Sequence, residues 1–207
     1  MTGEAPLPAP FFARSALEVA SDLIGCTFLF EGVGGRIVET EAYHDSEPAC
    51  HAHVGLTPRT STLFGPPGLA YVYRSYGIHA LLNAVCETEG VGAAVLIRAL
   101  EPLEGVEHMR ARRGRAGEGH LENLCSGPGK LSQALGIDTV LNTSSLDRGP
   151  IRIRAVVERV TGLECLAGPR VGITRAVELP WRFCLAGSRF VSRPWPAGLR
   201  ETVERRV

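Results

Sequence analysis

The amino-acid sequence predicts an α+β fold: a single domain with a curved, mainly antiparallel β-sheet flanked by a few helices. Three observations support this prediction. The length of 207 residues suits one domain with a sizeable core. Pairs of β-rich runs are separated by short glycine-containing turns, which is typical of antiparallel hairpins. Strands and helices do not alternate as βαβ units, so a parallel doubly wound sheet is disfavoured.

The N-terminal region is expected to contain a loosely held segment followed by a helix. Residues 1–10 are Pro-rich, and we predict a flexible lead-in there, followed by a single domain at residues 11–207. In FFARSALEVASDLI, residues 11–24, apolar side chains recur with helical periodicity, and Ser15 is a suitable cap. This pattern predicts a helix before the first strand.

The rest of the chain is predicted to combine β-rich runs with two helices. Turns that contain glycine separate the runs, and each helix begins at a proline-containing segment. In chain order we predict a hairpin around residues 31–35, two strands within 69–87 around Gly77, a strand at 92–99, a helix at 101–113, a helix within SGPGKLSQALGI, a strand within IRIRAVVERV and a last strand within WRFCLAGSRFVS.

Composition excludes several classes of protein. No apolar run approaches the roughly 18–20 residues of a membrane-spanning helix, and the N-terminus lacks a secretory signal, so we expect a cytoplasmic protein without a membrane partner. The six cysteines are widely spaced, which favours free thiols over disulfides or a zinc site. The formal net charge is zero, but Arg110, Arg112, Arg113 and Arg115 form a basic run that either follows a phosphate backbone or is a solvated charged face.

Residues 37–53, IVETEAYHDSEPACHAH, concentrate four carboxylates, three histidines and a tyrosine. In a strand, the period of two places Glu39, Glu41 and Tyr43 on one face. Two ionised carboxylates one pleat apart repel each other, which raises the pKa of one of them unless a cation lies nearby. The pair is therefore a candidate for activating water or for other acid/base catalysis, and the alternative is the solvated face of an antiparallel strand.

The histidines of the same segment offer a second interpretation. His51 and His53 present two imidazoles for a metal ion, with Glu41 or Asp45 as a carboxylate ligand. A catalytic zinc ion needs three firm ligands, and the other histidines of the chain stand at no distance that is typical of such a set. The sequence therefore predicts no metal site.

Two further features lie C-terminal to this segment. In YVYRSYG, strand periodicity places Tyr71 and Tyr73 on one face, whereas Tyr76 falls at the turn. A tyrosine at a turn either packs against the sheet edge or forms a wedge that enters a stack of flat rings, such as DNA bases. Arg98 ends an otherwise apolar strand and so needs a carboxylate or phosphate partner, for which Glu41 is the natural candidate.

Six motifs occur in order from about residue 11 to about residue 193: RIVETEAYH, HAH-x-G-x-TPR-x-x-x-LFGPPG, YVYRSYGIHALLN, AAVLIRALEPLEG, LCSGPGKLSQALGI and RVGITRAVELPWRF. Together they closely resemble the alkyladenine (3-methyladenine) DNA glycosylase family. Members of that family are monofunctional enzymes that excise alkylated and deaminated purines from DNA. Because the resemblance covers nearly the whole chain, it is more specific than any single motif.

The resemblance implies a role for each candidate residue. It implies that Glu41 is the general base that deprotonates a water molecule, and that Arg98 orients both the water and the carboxylate. His53 is the alternative to His51 as the histidine of the base pocket. The remaining implied roles are a pocket for the flipped base lined by Tyr43, His51, Tyr73 and Asn83, insertion of Tyr76 into the duplex, and DNA contacts from Lys130 and His79.

The resemblance also implies an activity and its requirements. We expect hydrolysis of the N-glycosidic bond of damaged purines such as 3-methyladenine and hypoxanthine, with double-stranded DNA as the partner of a monomeric, nucleoid-associated protein. We expect no metal ion, no organic cofactor and, because no lysine lies in the catalytic stretch to form a Schiff base, no strand cleavage. The alternatives are a non-catalytic module that binds DNA or RNA, and a metallohydrolase that uses His51, His53 and a carboxylate.

Overall fold

The computed structural model describes residues 5–155 and 164–204, which form eight β-strands, five α-helices and five 3-10 turns. The strands are β1 (Thr27–Phe30), β2 (Val33–His44), β3 (Ala70–Ser75), β4 (His79–Val85), β5 (Ala93–Glu104), β6 (Ile151–Arg154), β7 (Cys165–Gly168) and β8 (Arg182–Leu185). The helices are α1 (Ala9–Phe12), α2 (Ala16–Asp22), α3 (Val106–Arg113), α4 (Pro128–Leu135) and α5 (Leu199–Glu204). The 3-10 turns are His51–Val54, Ser61–Phe64, Gly114–Gly117, Leu121–Asn123 and Thr139–Leu141.

These strands form one sheet in which the paired strands are antiparallel, and this confirms the predicted α+β fold class. The strand order is β3-β4-β5-β2-β1-β6, and β8 pairs with both β2 and β7. β2 and β5 are the longest strands, with twelve residues each, and they pair along most of their length. The shorter strands are therefore arranged around one long central pair.

β2 changes its second neighbour partway along its length. Its first four residues pair with β1, whereas Glu39–Glu41 pair with β8. The change coincides with register irregularities in the β2–β5 pairing around Glu39. Irregularities of this kind bend a strand and change the direction of its side chains. The middle of β2 consequently lies between β5 and β8 and is buried at every position from Ile37 to Ala42.

The helices pack against the strands around this central pair. α2 contacts β2 and β5, and α4 contacts β4 and β5. Ser15 caps α2 by accepting a hydrogen bond from the Leu17 N–H, as the sequence predicts. No helix within residues 5–155 or 164–204 is long and apolar enough to cross a membrane. The largest apolar side chains that are fully buried include Phe12, Leu23, Phe28, Ile37, Leu82, Ile97, Leu100, Met109, Leu124, Leu131 and Leu135.

The N-terminal region contains contacts to the sheet edge and a divided helix. Pro6 forms an isolated β-bridge with Arg154, and the N–H of buried Leu7 donates to the backbone of β6 at 2.7 Å. These contacts hold part of the segment that was predicted to be a flexible lead-in against the edge of the sheet. The helix predicted at 11–24 is divided into α1 and α2, because the chain leaves the helical conformation before Ser15 caps the second helix.

The helix predicted at 101–113 begins later than its Glu-Pro start signal indicates. β5 continues to Glu104, and α3 begins only at Val106. Pro102 lies opposite Gly35, next to a register shift in the β2–β5 ladder. Proline is tolerated in a strand at such irregular positions, where a missing N–H breaks no regular hydrogen bond. Pairing with β2 thus outweighs the local preference for a helix.

Part of the basic run of α3 joins two helices. The Arg112 guanidinium donates to the carbonyls of Ala134 and Leu135 at the C-terminal end of α4, at 3.3 and 2.8 Å. Arg113 donates to the side-chain oxygen of Gln133 at 2.7 Å. Cations at the C-terminal end of a helix donate hydrogen bonds to its free carbonyls and are attracted by the negative end of the helix dipole. These two arginines therefore connect α3 to α4, which accounts for them without a phosphate partner.

The remaining predicted strands are found with shorter bounds. β1–β2 and β3–β4 are the two predicted hairpins, and the last predicted strand is β8. Of the strand predicted within IRIRAVVERV, β6 covers Ile151–Arg154, and residues 156–160 lie outside the described residues. The thiols of Cys50, Cys86, Cys125 and Cys184 are free and buried, as predicted.

Gly35→Ala is expected to destabilise the fold, whereas Gly119→Ala is a matched control that should not. A Cβ atom on Gly35 would lie 1.9 Å from the backbone oxygen of Glu101 in β5, but one on Gly119 meets no atom within 4 Å. Urea unfolding should show a loss of roughly 2–4 kcal/mol for Gly35→Ala and of less than about 0.5 kcal/mol for the control. Equal unfolding free energies of the two variants would contradict the close approach of β2 to β5.

Candidate active site

Two glutamates and an arginine meet between β2 and β5. Glu39 and Glu41 have no exposed surface, and Arg98 of β5 is 6% exposed. The Arg98 guanidinium donates from Nε to Glu39 Oε1 at 2.8 Å and from Nη1 to Glu41 Oε2 at 3.1 Å. Thr40 points to the helical side, because its hydroxyl donates to the Ala20 carbonyl at 2.8 Å. Both carboxylates therefore lie on one side of the strand, as predicted, but they are buried rather than on a solvated face.

Glu41 is held by three hydrogen bonds. Its Oε1 accepts from the Val171 N–H at 2.7 Å, and its Oε2 accepts from the Tyr43 hydroxyl at 2.8 Å and from Arg98. Burial raises the pKa of Glu41, and the Arg98 charge and the two other hydrogen bonds only partly offset this effect. A carboxylate with a raised pKa that still has donors for its ionised form is suited to accepting a proton.

Glu39 carries the second buried negative charge. In addition to Arg98, it accepts hydrogen bonds from Arg182 Nε at 2.7 Å, from the Ser192 N–H at 2.7 Å and from the Ser192 hydroxyl at 2.9 Å. Burial opposes its ionisation and is the largest single influence on its pKa. The charges of Arg98 and Arg182 and the bonds from Ser192 together outweigh burial, so the pKa of Glu39 lies below its ordinary value of 4.5. Two arginines thus balance two glutamates.

A cavity of about 760 Å³ adjoins this charge cluster. Its volume falls within the range of ~300–1,000 Å³ that is typical of small-molecule sites. The rings of Tyr71 and Tyr73 stack 5.4 Å apart at an angle of 27°, and the His51 ring meets Tyr73 edge-on at 4.6 Å. Tyr43, Arg98 and Val171, the three partners of Glu41, also line the cavity.

His51 is a neutral hydrogen-bonding group in this cavity. Its Nδ1 atom lies 3.1 Å from the Tyr71 hydroxyl. Burial lowers the pKa of His51, and the charge of Arg59 lowers it further, so the ring is uncharged at neutral pH. His53 is exposed, its Nδ1 lies 2.8 Å from the Asp45 carbonyl, and it is not part of the cavity lining. The structure therefore places His51, and not His53, at the cavity.

Asn83 of β4 contributes a polar group to the cavity wall. It is 5% exposed and lies across from Tyr71 in the β3–β4 pairing and from Leu96 in the β4–β5 pairing. Its Nδ2 donates to the Tyr71 carbonyl at 3.1 Å. This hydrogen bond holds the amide in one orientation, so Asn83 is a rigid part of the wall.

The β3–β4 hairpin presents Tyr76 at the rim of the cavity. Tyr76 is 91% exposed, and it is one of the residues that line the cavity. Tyr76 and Gly77 have positive φ angles of +49° and +71°. A non-glycine residue with positive φ is uncommon and often marks a functional turn. The exposure of Tyr76 contradicts the alternative in which it packs against the sheet edge.

His79 and Lys130 lie near the first turn of α4. A Cβ atom on Gly129 would lie 2.8 Å from the His79 ring, so this ring packs directly against the helix start. The Lys130 Nζ lies 3.5 Å from the Ser126 hydroxyl. His79 lines the cavity together with Gly129, whereas Lys130 is not part of the lining. The two residues that were predicted to contact DNA are thus near each other, and only one of them reaches the cavity.

A protein-family model described as methylpurine-DNA glycosylase matches residues 10–189 of the chain. The chain belongs to this family. It is 58% identical to a protein of Bradyrhizobium diazoefficiens over 194 residues, which are 92% of each chain. It is 57% identical to a protein of Rhodopseudomonas palustris strain HaA2 over 190 residues, again 92% of each chain. A protein of Nitrosospira multiformis is 50% identical over 188 residues, 91% of this chain and 94% of that one.

All three relatives are named as candidate 3-methyladenine DNA glycosylases. The methylpurine-DNA glycosylase family is the one that the six sequence motifs resemble, so the family prediction is confirmed. The motifs fall on β2, the β3–β4 hairpin, β5, α4, the loop after β7 and the 51–68 region, and most of these elements border the cavity.

Several residues of this candidate site were missed when the sequence alone was considered. Arg170, Val171 and Arg182 contact the buried glutamates or Tyr43, and all three come from the RVGITRAVELPWRF motif. That motif was the only signal for them, because nothing in the segment itself indicates that it pairs with β2. Within residues 5–155 and 164–204, no group of three or more His, Cys, Asp or Glu side chains is placed to hold a metal ion. The metallohydrolase alternative therefore lacks a ligand set there.

Glu39→Gln is expected to lower stability at neutral pH and to reduce the loss of stability in acid. Removing one charge from a buried ion cluster costs roughly 3–5 kcal/mol. The folded-state pKa of Glu39 is lowered, so its ionised form stabilises the fold above its ordinary value of 4.5, and this contribution disappears as the pH falls through the lowered pKa.

Urea unfolding from pH 7 to pH 3 measures both effects. The free energy of unfolding should fall less steeply below about pH 4.5 in Glu39→Gln than in the wild type. Glu118 is exposed, so the control variant Glu118→Gln should keep the wild-type pH dependence of the free energy of unfolding. An unchanged slope in Glu39→Gln would show that the Arg98 and Arg182 charges do not hold Glu39 ionised.

Proposed function

We propose that this protein is a monofunctional DNA glycosylase that excises alkylated or deaminated purines, such as 3-methyladenine and hypoxanthine, from double-stranded DNA. The damaged nucleotide is flipped into the aromatic cavity, its N-glycosidic bond is hydrolysed, and base excision repair begins. The observation that carries the proposal is the buried Glu41 carboxylate, whose three partners all line that cavity. The family and the names of the relatives support the substrate class. We expect a monomer that acts at the bacterial nucleoid.

Glu41 acts as the general base in this proposal. An ionised carboxylate offers about four acceptor sites, and the hydrogen bonds from Tyr43, Arg98 and Val171 use three of those of Glu41. The fourth accepts a proton from the water molecule that attacks C1′ of the deoxyribose as the bond to the base breaks. Burial lowers the pKa of Arg98, but Glu41 and Glu39 raise it above its usual value, so Arg98 remains a cation that orients the carboxylate and the water.

Tyr43, His51 and Tyr73 contact the faces and edges of the flipped base. A purine such as 3-methyladenine carries a positive charge, so stacking on tyrosine gains a cation–π energy of about 1–2 kcal/mol in a desolvated cavity. A neutral His51 does not repel such a cation. Asn83 occupies the wall where the exocyclic amino group of guanine would clash, which excludes this undamaged base.

Tyr76 fills the gap that the flipped nucleotide leaves in the duplex. His79 and Lys130 contact the backbone near the start of α4, where a helix N-terminus favours phosphate. Lys130 is the only lysine of the chain and lies outside the cavity lining. No lysine amine is therefore positioned to form a Schiff base with the sugar, which supports hydrolysis without strand cleavage.

Base release from duplex DNA tests the proposed function. Purified protein is incubated with methylated duplex and with hypoxanthine-containing duplex, with and without EDTA, and free bases and strand breaks are measured. The proposal requires release of free base that persists in EDTA and leaves intact strands with abasic sites. Lesion binding without release at any pH would favour a non-catalytic binding module, and loss of release in EDTA would favour a metallohydrolase.

Glu41→Gln is expected to lower single-turnover base release by at least about 100-fold while lesion binding persists. Glutamine retains the shape of the side chain but does not accept the proton of the attacking water. In the wild type, release of 3-methyladenine should also decrease as the pH falls through the raised pKa of Glu41, because the protonated carboxyl is no longer a base. Glu118→Gln serves as the control, and a parental rate in Glu41→Gln would reject the mechanism.

Tyr76→Ala is expected to weaken lesion-specific binding by about 10-fold or more, since stacking of a base on an aromatic side chain contributes roughly 1–3 kcal/mol. Its melting temperature should stay near the wild-type value, because the ring is 91% exposed. Val140, which is 85% exposed and does not line the cavity, supplies the control Val140→Ala. Fluorescence anisotropy with lesion and undamaged duplexes measures the difference. Equal affinities of the two variants would remove Tyr76 from the DNA interface.

A further inference from the structure

Arg170 is a fully buried cation that binds β2 beside the catalytic residues. Its guanidinium donates two parallel hydrogen bonds to Glu47, from Nη1 to Oε1 at 2.6 Å and from Nη2 to Oε2 at 2.9 Å. Nη1 also donates to the carbonyl of Ala42 at 3.0 Å. Ala42 is the residue of β2 between Glu41 and Tyr43. The hydrogen bond from Arg170 therefore joins the strand between the residues that carry the carboxylate and the cavity ring.

The same guanidinium lies over two aromatic rings. Its central carbon is 4.7 Å from the centroid of the Tyr43 ring and 5.2 Å from that of Trp181. A planar guanidinium can form the paired hydrogen bonds to Glu47 and stack on rings at the same time, which a lysine ammonium cannot do. Arg170 therefore supports one face of Tyr43, the ring that lines the cavity and donates to Glu41.

The wall segment, residues 171–175, lines the cavity without belonging to a helix or strand. It is attached to β2 on both sides. Arg170 precedes it and binds the Ala42 carbonyl, and beyond it the Trp181 carbonyl accepts from the Ala42 N–H at 2.9 Å. Val171, its first residue, donates the backbone hydrogen bond to the catalytic carboxylate. The placement of this donor thus depends on how firmly Arg170 is held.

We propose that Arg170 is a positioning residue for base excision: paired with Glu47, it holds the Val171 N–H on Glu41 and supports the ring of Tyr43. This inference rests on the proposed function, because it assigns a role within that reaction. A buried ion pair by itself contributes little net stability. Here Arg170 directly precedes the wall segment and lies over the ring of Tyr43, so loss of the pair changes the surroundings of the catalytic carboxylate as well as the fold.

The direction of the expected change follows from the hydrogen bond to Glu41. The Val171 N–H lowers the pKa of Glu41 against the larger effect of burial. If Arg170 no longer holds this donor in place, the pKa of Glu41 rises further. The ionised base then requires a higher pH, so the acid side of the pH–rate profile moves upward.

Arg170→Lys tests the proposal with the charge retained. Single-turnover release of 3-methyladenine is measured from pH 5 to pH 8, because this lesion already carries its positive charge and needs no proton on the leaving base. We expect a rate about 10- to 100-fold below the wild type at neutral pH and an acid side displaced to higher pH. A carboxyl ¹³C titration of Glu41, assigned with Glu41→Gln, should show the same displacement without any turnover.

Two further variants distinguish positioning from stability. Phe28→Leu loses buried volume in β1, outside the cavity lining, and its melting temperature serves as the reference for a general loss of stability. The double variant Arg170→Gln/Glu47→Gln replaces the ion pair by an amide pair and leaves no unpaired buried charge. This double variant should show the same displaced pH–rate profile as Arg170→Lys. Phe28→Leu should keep the wild-type pH–rate profile, although its melting temperature is similar to those of the Arg170 variants.

Each outcome supports or overturns the positioning role. The positioning role is overturned if either folded Arg170 variant has the wild-type rate and pH–rate profile. It is also overturned if the rate falls without a displacement of the pH–rate profile and Phe28→Leu shows the same loss of rate. If neither Arg170 variant folds, Arg170 is a determinant of folding and the positioning role is rejected. If the wild type releases no base, the proposed function fails, and the ¹³C titration still decides whether Arg170 holds the donor to Glu41.

Discussion

The position of Arg98 between Glu39 and Glu41 is the constraint on which the rest of the site depends. Two carboxylates on one face of a buried strand repel each other strongly at low dielectric, and both stay ionised only if cations share the space. Arg98 supplies one cation from β5, and Arg182 supplies the second from β8. The two glutamates differ as a result: Glu39, with three side-chain partners, has a lowered pKa, and Glu41, with fewer compensating charges, has a raised one.

The change of pairing partner in the middle of β2 makes this charge balance possible. If β2 paired with β1 along its whole length, Glu39 would have no contact with Arg182, because Arg182 belongs to β8. The register irregularity of the β2–β5 pairing around Glu39 lies where β2 leaves β1 and begins to pair with β8. Long-range contacts, rather than local ones, thus assemble the cluster. The acidic and basic members lie up to 143 residues apart in the chain.

The elements that line the cavity are arranged around the same strand. Tyr43 follows Glu41 by one pleat, so the strand that supplies the proposed base also supplies a ring of the cavity. The β3–β4 hairpin adds the stacked pair Tyr71 and Tyr73 on the other side of β5 and carries Tyr76 at its tip. The sheet therefore sets the distances between the Glu41 carboxylate, the rings of the cavity and Tyr76. Such an arrangement favours catalysis that relies on positioning rather than on a strongly reactive group.

The sequence by itself determined the α+β class, the antiparallel hairpins, the alternation of Glu39, Thr40 and Glu41, and the family, because these depend on local periodicity, turn residues and motifs read in order. It did not determine where the helix after β5 begins, because pairing of Pro102 with β2 overrides a local start signal. Only the tertiary structure decided that the glutamates are buried and balanced by two arginines, and that the Val171 N–H reaches Glu41. The physical reason is that burial, charge pairing and backbone donors arise from contacts between distant segments, which no local pattern records.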